Sequence, residues 1–146
     1  MNNILTPIFV ARNYTHLEIY NLGYAFAKQI YSILKLYPAH ETGNIVQQLK
    51  RSAISIISNI AEGSTRPSKK EFLYFINCSY GSAKEIQVLL DISKDLSYIN
   101  HPTHEKVSKA LDELGAKLFL FMRNLEKDTP YRFYQQFNNE LAKTLK

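Results

Sequence analysis

The sequence predicts an all-α protein, an up-down-up-down four-helix bundle. Three observations carry that expectation. Apolar residues recur every three or four positions over four long segments, two Ser/Thr-x-x-Glu capping boxes mark helix starts, and no strand pattern competes. The chain has 146 residues, 45% of them hydrophobic, which suits one domain with a real core. Five Gly and five Pro are few for an all-β chain full of tight turns.

Helix one is expected from Thr15, through the capping box Thr15-x-x-Glu18, to about Leu36, stopping before Pro38. Leu17, Tyr20, Tyr24, Ala27, Tyr31 and Leu34 form one apolar stripe, and Ile19, Leu22, Phe26, Ile30, Ile33 and Tyr37 form a second. The stripes are offset by two residues, about 200° at 100° per residue. A helix apolar on two opposite sides cannot bury both inside a small bundle, so one side is expected to meet another subunit.

Helix two should span roughly Glu41 to Glu62, with Ile45, Leu49, Ala53, Ile56 and Ile60 inward and Gly63 as its C-terminal cap. After the loop Ser64–Pro67, helix three opens on the capping box Ser68-x-x-Glu71 and runs to about Leu96. A turn at Tyr98–His101 leads into helix four, Thr103 to about Lys127. The domain division is then an N-terminal extension, 1–14, the bundle, 15–128, and a C-terminal tail, 129–146. Phe133, Phe137 and Leu141 give that tail the spacing of a short amphipathic helix.

Composition narrows the setting. One cysteine, Cys78, excludes an intrachain disulfide and fits a reducing cytosol. In the apolar run Phe72–Cys78 it reads as a small buried hydrophobe. The apolar stretch Ile4–Ala11 is short, broken by Pro7 and preceded by no basic residue, unlike a signal peptide. No segment reaches the roughly 18 apolar residues of a membrane span. The expectation is a soluble cytoplasmic protein.

Net charge is +5, and the stretch Lys50–Lys70 accounts for +4 of it through Lys50, Arg51, Arg66, Lys69 and Lys70 against Glu62. Such a local excess suits an anionic partner, RNA or DNA. These five cations are the candidate nucleic-acid contacts, helped by the free N–H groups at the start of helix three.

Ser55, Asn59 and Glu62 recur at helical spacing inside an otherwise apolar segment, following Arg51; Ser82 and Glu85 lie one turn apart on helix three. If helices two and three pack antiparallel, Ser55 faces Ser82 and Arg51 can pair with Glu85. This set, Arg51, Ser55, Asn59, Glu62, Ser82 and Glu85, reads as a structural polar network fixing helix register. The competing reading is a Glu62–Glu85 carboxylate pair for acid–base work or metal binding. No His, Cys or third acid joins that pair. His101-x-x-His104 has metal-like spacing, but nothing completes a site and the two read as loop histidines. Gly63 and Gly81 read as a helix cap and a close helix contact. No phosphate-loop, zinc-hydrolase or nucleophile-elbow motif is present, so no catalytic residue, metal or cofactor is expected.

The motif Arg51-x-x-x-Ser55-Ile56-x-x-Asn59-Ile60-Ala61-Glu62-Gly63-x-x-Arg66, then Lys70-Glu71-Phe72-x-x-Phe75 and Gly81-Ser82-x-x-Glu85, resembles the four-helix-bundle proteins encoded in 23S rRNA intervening sequences. Tyr31, Pro38, Glu41 and Gln48–Arg51 fit the same pattern, and the resemblance covers roughly Leu17 to Leu125. The chain departs from it at Tyr20, where many members carry Trp, and at Ser52, where Ala is usual. The resemblance implies a ring-like homo-oligomer, a pentamer, with no established activity. More distantly the chain is similar to the accessory protein of diversity-generating retroelements, which implies a basic surface that binds nucleic acid. The combined expectation is a non-enzymatic, oligomeric nucleic-acid-binding bundle; the alternative is a protein–protein scaffold with no nucleic-acid role.

Overall fold

The computed structural model describes residues 13–127, and these form four α-helices with no strand among the described residues. The helices are α1 (Glu18–Leu34), α2 (Ile45–Ser64), α3 (Lys69–Asp95) and α4 (His101–Lys127). Each packs on its neighbour in the chain, and α1 also packs on α4, which closes a four-helix bundle. The expected tail, 129–146, lies outside the described residues, as do residues 1–12 of the expected extension. Its last residue, Tyr14, instead opens a 3-10 turn, Tyr14–His16.

The first capping box does not form. Thr15 lies inside that turn, where its N–H and hydroxyl both bond Asn13 Oδ1, at 3.1 and 2.7 Å. Asn13 is thus the side-chain cap, and α1 starts behind Leu17 with no side chain capping it. The second box does form: Ser68 Oγ accepts from Glu71 N–H at 3.2 Å and donates to Glu71 Oε2 at 2.9 Å.

Helix α2 begins later than expected. Ala39–Glu41 form a separate 3-10 turn in which the Glu41 carboxylate accepts from Ile45 N–H (3.3 Å) and from the Tyr98 hydroxyl (3.0 Å). At the far end Gly63 is helical rather than a left-handed cap, since no glycine has positive φ. The last carbonyls of α2 are satisfied by hydroxyls, Ser64 to Ala61 O (2.6 Å) and Thr65 to Glu62 O (2.7 Å), before Pro67 prevents continuation.

The α3–α4 turn is a Schellman motif, with Tyr98 N–H on Ser93 O and Ser97 N–H on Lys94 O, both 2.9 Å. Ser97 takes the left-handed position, φ 60°, that glycine usually fills. Asn100 Oδ1 then accepts from Thr103 N–H at 2.9 Å, so α4 starts at His101, two residues before the expected Thr103.

One stripe of α1, with Ile19, Phe26, Ile30 and Ile33, is buried. The other divides: Ala27 and Leu34 are buried, whereas Tyr24 and Tyr31 face outward. The α2–α3 seam is lined by small residues. Gly63, which faces Phe72 and Phe75, and Ser79, whose hydroxyl bonds the Ile56 carbonyl, are both buried there, which lets the two backbones approach closely. A Cβ added at Gly63 would stand 2.6 Å from Phe75 Cβ and 2.9 Å from Phe72 Cδ2. Gly81, expected to be the close contact, meets nothing within 4 Å and is exposed. Gly63 is therefore the close helix contact, and Gly81, in the middle of α3, is neither a contact nor a cap.

Candidate nucleic-acid interface

The outward face of α2 is the floor of a groove of about 530 Å³. Tyr31 of α1 and Lys50 border it on one side, Ser82 and Glu85 of α3 on the other, with Arg51 and Ser55 between. Helical spacing puts Gln47, Arg51, Ile54 and Ser58 on this face, while Leu49, Ala53, Ile56 and Ile60 turn to the core.

Three of the six network residues are hydrogen-bonded together. Asn59 Nδ2 donates to the Ser55 carbonyl (2.8 Å) and to Ser55 Oγ (3.0 Å), and Ser82 Oγ donates to Ser55 Oγ (2.9 Å) across the α2–α3 seam. Ser79, absent from the expected set, adds a buried bond to the Ile56 carbonyl at 2.8 Å. Its signal in the sequence is a small polar residue between Ile76 and Ala83, on the core face of α3.

The other three residues lie outside this network. Arg51 and Glu85 are exposed and line the same groove without forming an ion pair. Glu62 is bound instead by Arg66, whose Nη2 lies 2.7 Å from Glu62 Oε1 and whose guanidinium stacks 4.7 Å from the centre of the Phe75 ring. Glu62 lies three turns along α2 from Arg51, roughly 16 Å, so the two carboxylates Glu62 and Glu85 do not share a site. The cause is the i,i+4 reach of Arg66, which engages Glu62 from the same helix end.

The five candidate cations also separate. Arg51 to Arg66 spans 15 residues, roughly 22 Å of helix axis, so Lys50 and Arg51 belong to the groove and Arg66, Lys69 and Lys70 to the α2–α3 end. Lys50 Nζ stands 5.9 Å from the centre of the Tyr31 ring. Lys69 sits in the first turn of α3 with the capped Ser68 behind it. Lys28 and Lys35 were not expected as surface cations of interest. Their signal is the absence of any Asp or Glu from Ile19 to His40.

The histidines are helical, not in a loop. His101 and His104 lie in the first turn of α4, and His104 Nε2 is 2.8 Å from Asp91 Oδ1 and 3.4 Å from Ser108 Oγ. Serine and aspartate thus address the same ring nitrogen, whereas a proton relay needs them on opposite ones. The hydrogen bond from His104, with a further one from Gln87, holds the Asp91 carboxyl below its ordinary value. Tyr98 and the Ile45 N–H do the same for Glu41. Among the described residues no three His, Cys, Asp or Glu side chains gather as a metal site. Cys78 is half-buried, less enclosed than expected. No described helix is long and apolar enough to cross a membrane.

Residues 15–120 match the family model of the 23S rRNA-intervening sequence proteins. Among curated proteins none matches. Among solved structures, the chain is similar to a protein of unknown function from the S23 ribosomal protein family of Bacteroides thetaiotaomicron. That likeness has a TM-score of 0.65 and 23% identity, covering 71% of this chain and 97% of the other. At that identity it establishes the shared bundle fold. The family match, spanning most of α1 through α4, is the stronger finding: the chain belongs to the 23S rRNA-intervening sequence proteins.

Proposed function

We propose that the chain is a non-enzymatic nucleic-acid-binding protein that acts as a homo-oligomer, with the α2 groove as part of its contact surface. The observation that carries this reading is Arg51, an exposed guanidinium with no ion pair among the described residues, beside Lys50 on a helix that has no acid before Glu62. A cation left without a carboxylate is available to a phosphate, and several such contacts per assembly add through avidity. Arg66, already neutralised by Glu62, contributes less than its place in the basic stretch suggests.

The test is fluorescence anisotropy of the untagged protein with a structured RNA and a DNA duplex, at about 50 and about 200 mM salt. Binding should fall with salt, and Lys50→Glu/Arg51→Glu should weaken it and reduce the salt slope by about two. Parent-like affinity and slope in that variant would remove the groove from the binding surface, and no binding by the parent at the lower salt would overturn the reading.

A further inference from the structure

The side of α1 turned away from the core carries Tyr24, Lys28, Tyr31 and Lys35, all exposed. Their spacings of four, three and four residues place them in a band about 60° wide and roughly 16 Å long. Tyr24 and Tyr31 are 50% and 47% exposed, so both rings present aromatic surface to solvent. Lys28 Nζ stands 5.5 Å from the centre of the Tyr24 ring, and Lys50 takes the same place on Tyr31, next to Arg51 in the groove. From Ile19 to Ala61 the chain has four Lys and Arg against a single acid, Glu41, whose carboxylate is taken by Tyr98 and the Ile45 N–H. The α1 band itself is aromatic and cationic among the described residues, and the one carboxylate beside it is Glu85, at the far edge of the groove and not ion-paired with Arg51.

We infer that this face binds single-stranded nucleic acid, with bases stacked on Tyr24 and Tyr31 and phosphates held by Lys28, Lys35, Lys50 and Arg51. The inference rests on the nucleic-acid reading above and narrows it to a strand form and a set of contacts. A duplex hides the faces of its bases, so two exposed rings on a helix gain nothing from it beyond its phosphates. An unpaired strand offers both. A cation over a solvent-exposed ring is held more weakly than a stacked base, so an incoming base displaces the ammonium, which is then free to meet a phosphate. A second copy of the same face is a poor occupant, because it brings four more cations and only the single Glu85 carboxylate at the groove's edge.

The chain has no Trp, so Tyr31→Trp installs one reporter at the centre of the band. Short oligo-dT and oligo-U should quench that indole emission, while a duplex should bind more weakly and quench little. Tyr24→Ala/Tyr31→Ala should weaken oligo-dT binding by about tenfold or more, with the mass by light scattering unchanged. Tyr24→Phe/Tyr31→Phe, which keeps the rings, should restore it. If the strands bind but leave the indole unquenched and the double Ala variant parent-like, this face is not the site, and the broader nucleic-acid reading survives. A smaller assembly in the double Ala variant would make the face a subunit contact and overturn the inference. Failure of the parent to bind any nucleic acid would overturn both readings.

Discussion

At the scale of single residues, two carboxylates show how ordinary hydrogen bonds tie the helix ends together. Glu41 and Asp91 both titrate below their ordinary values, 4.5 and 3.8, the first because Tyr98 and Ile45 donate to it, the second because His104 does. The folded chain therefore releases these protons more readily than the unfolded chain, and stability rises with pH across that interval. The contribution is complete above the ordinary values and is lost as pH falls through the lowered ones. Thermal melts should hold their midpoint from pH 7 to about pH 5 and decline below about pH 4. Tyr98→Phe should melt below the parent at pH 7, with the gap closing at acid pH; a constant gap would show that the hydroxyl acts by packing alone. Asn59, by contrast, reaches among the described residues only Ser55 on its own helix, so its amide contributes about 0.5–1.5 kcal/mol, the range of an ordinary net hydrogen bond.

The helices themselves were largely legible, because apolar spacing reports burial directly. Ile45, Leu49, Ala53, Ile56 and Ile60 are the buried side of α2, as their spacing requires. What the spacing did not report is how an individual polar side chain chooses among partners. The Arg66–Glu62 pair, one turn apart, was within reach of the spacing, whereas Arg51 and Glu85, on different helices, line one groove without pairing, and no sequence pattern decides that. The glycines failed for a related reason: a helix-end Gly reads as a cap until the neighbouring helix is known to press against it. The structure separates three cases. Gly63→Ala should destabilise by about 1–3 kcal/mol, because the new Cβ meets Phe75 Cβ, an atom fixed to the α3 backbone. Gly23→Ala should also destabilise, since Ile57 Cγ2 at 2.9 Å sits on a β-branched side chain stiff in a helix, but less than Gly63→Ala because no atom comes as close as 2.6 Å. Gly81→Ala, with open space around it, should stabilise by about 0.5–1 kcal/mol through helix propensity alone. Denaturant melts of the three variants check the order, and a destabilised Gly81→Ala would show that something covers that face in solution.

For the whole molecule, the surfaces differ in character. The α1–α2 face is cationic, whereas α3 and α4 leave Val88 and Leu120 at 58% and 50% exposed, with Tyr80 and Phe119 around a groove of about 510 Å³. For the proposed oligomer we propose this α3–α4 face, which also carries Lys84 and Asp112, as a contact between copies; the side of α1 that its two stripes suggested is the one assigned above to nucleic acid. Leu120→Lys should lower the molar mass by light scattering while leaving the helical circular-dichroism signal intact. An unchanged mass would return the contact to another face.

The α2–α3 seam has a bearing on how the chain finds this arrangement. Only four residues, Thr65–Ser68, separate the two helices, and Ser55–Ser82 and Gly63–Phe75 come together as soon as that short connection folds back. The α1–α4 seam is fastened by Glu18 and Lys117, 3.1 Å apart in space but about a hundred residues apart along the chain. Loop closure grows as the logarithm of length, so joining that seam first would carry roughly 1–2 kcal/mol more ordering entropy than making those hairpin contacts. The polar contacts that align α2 with α3 are thus less costly in chain entropy to close than the seam that joins α1 to α4.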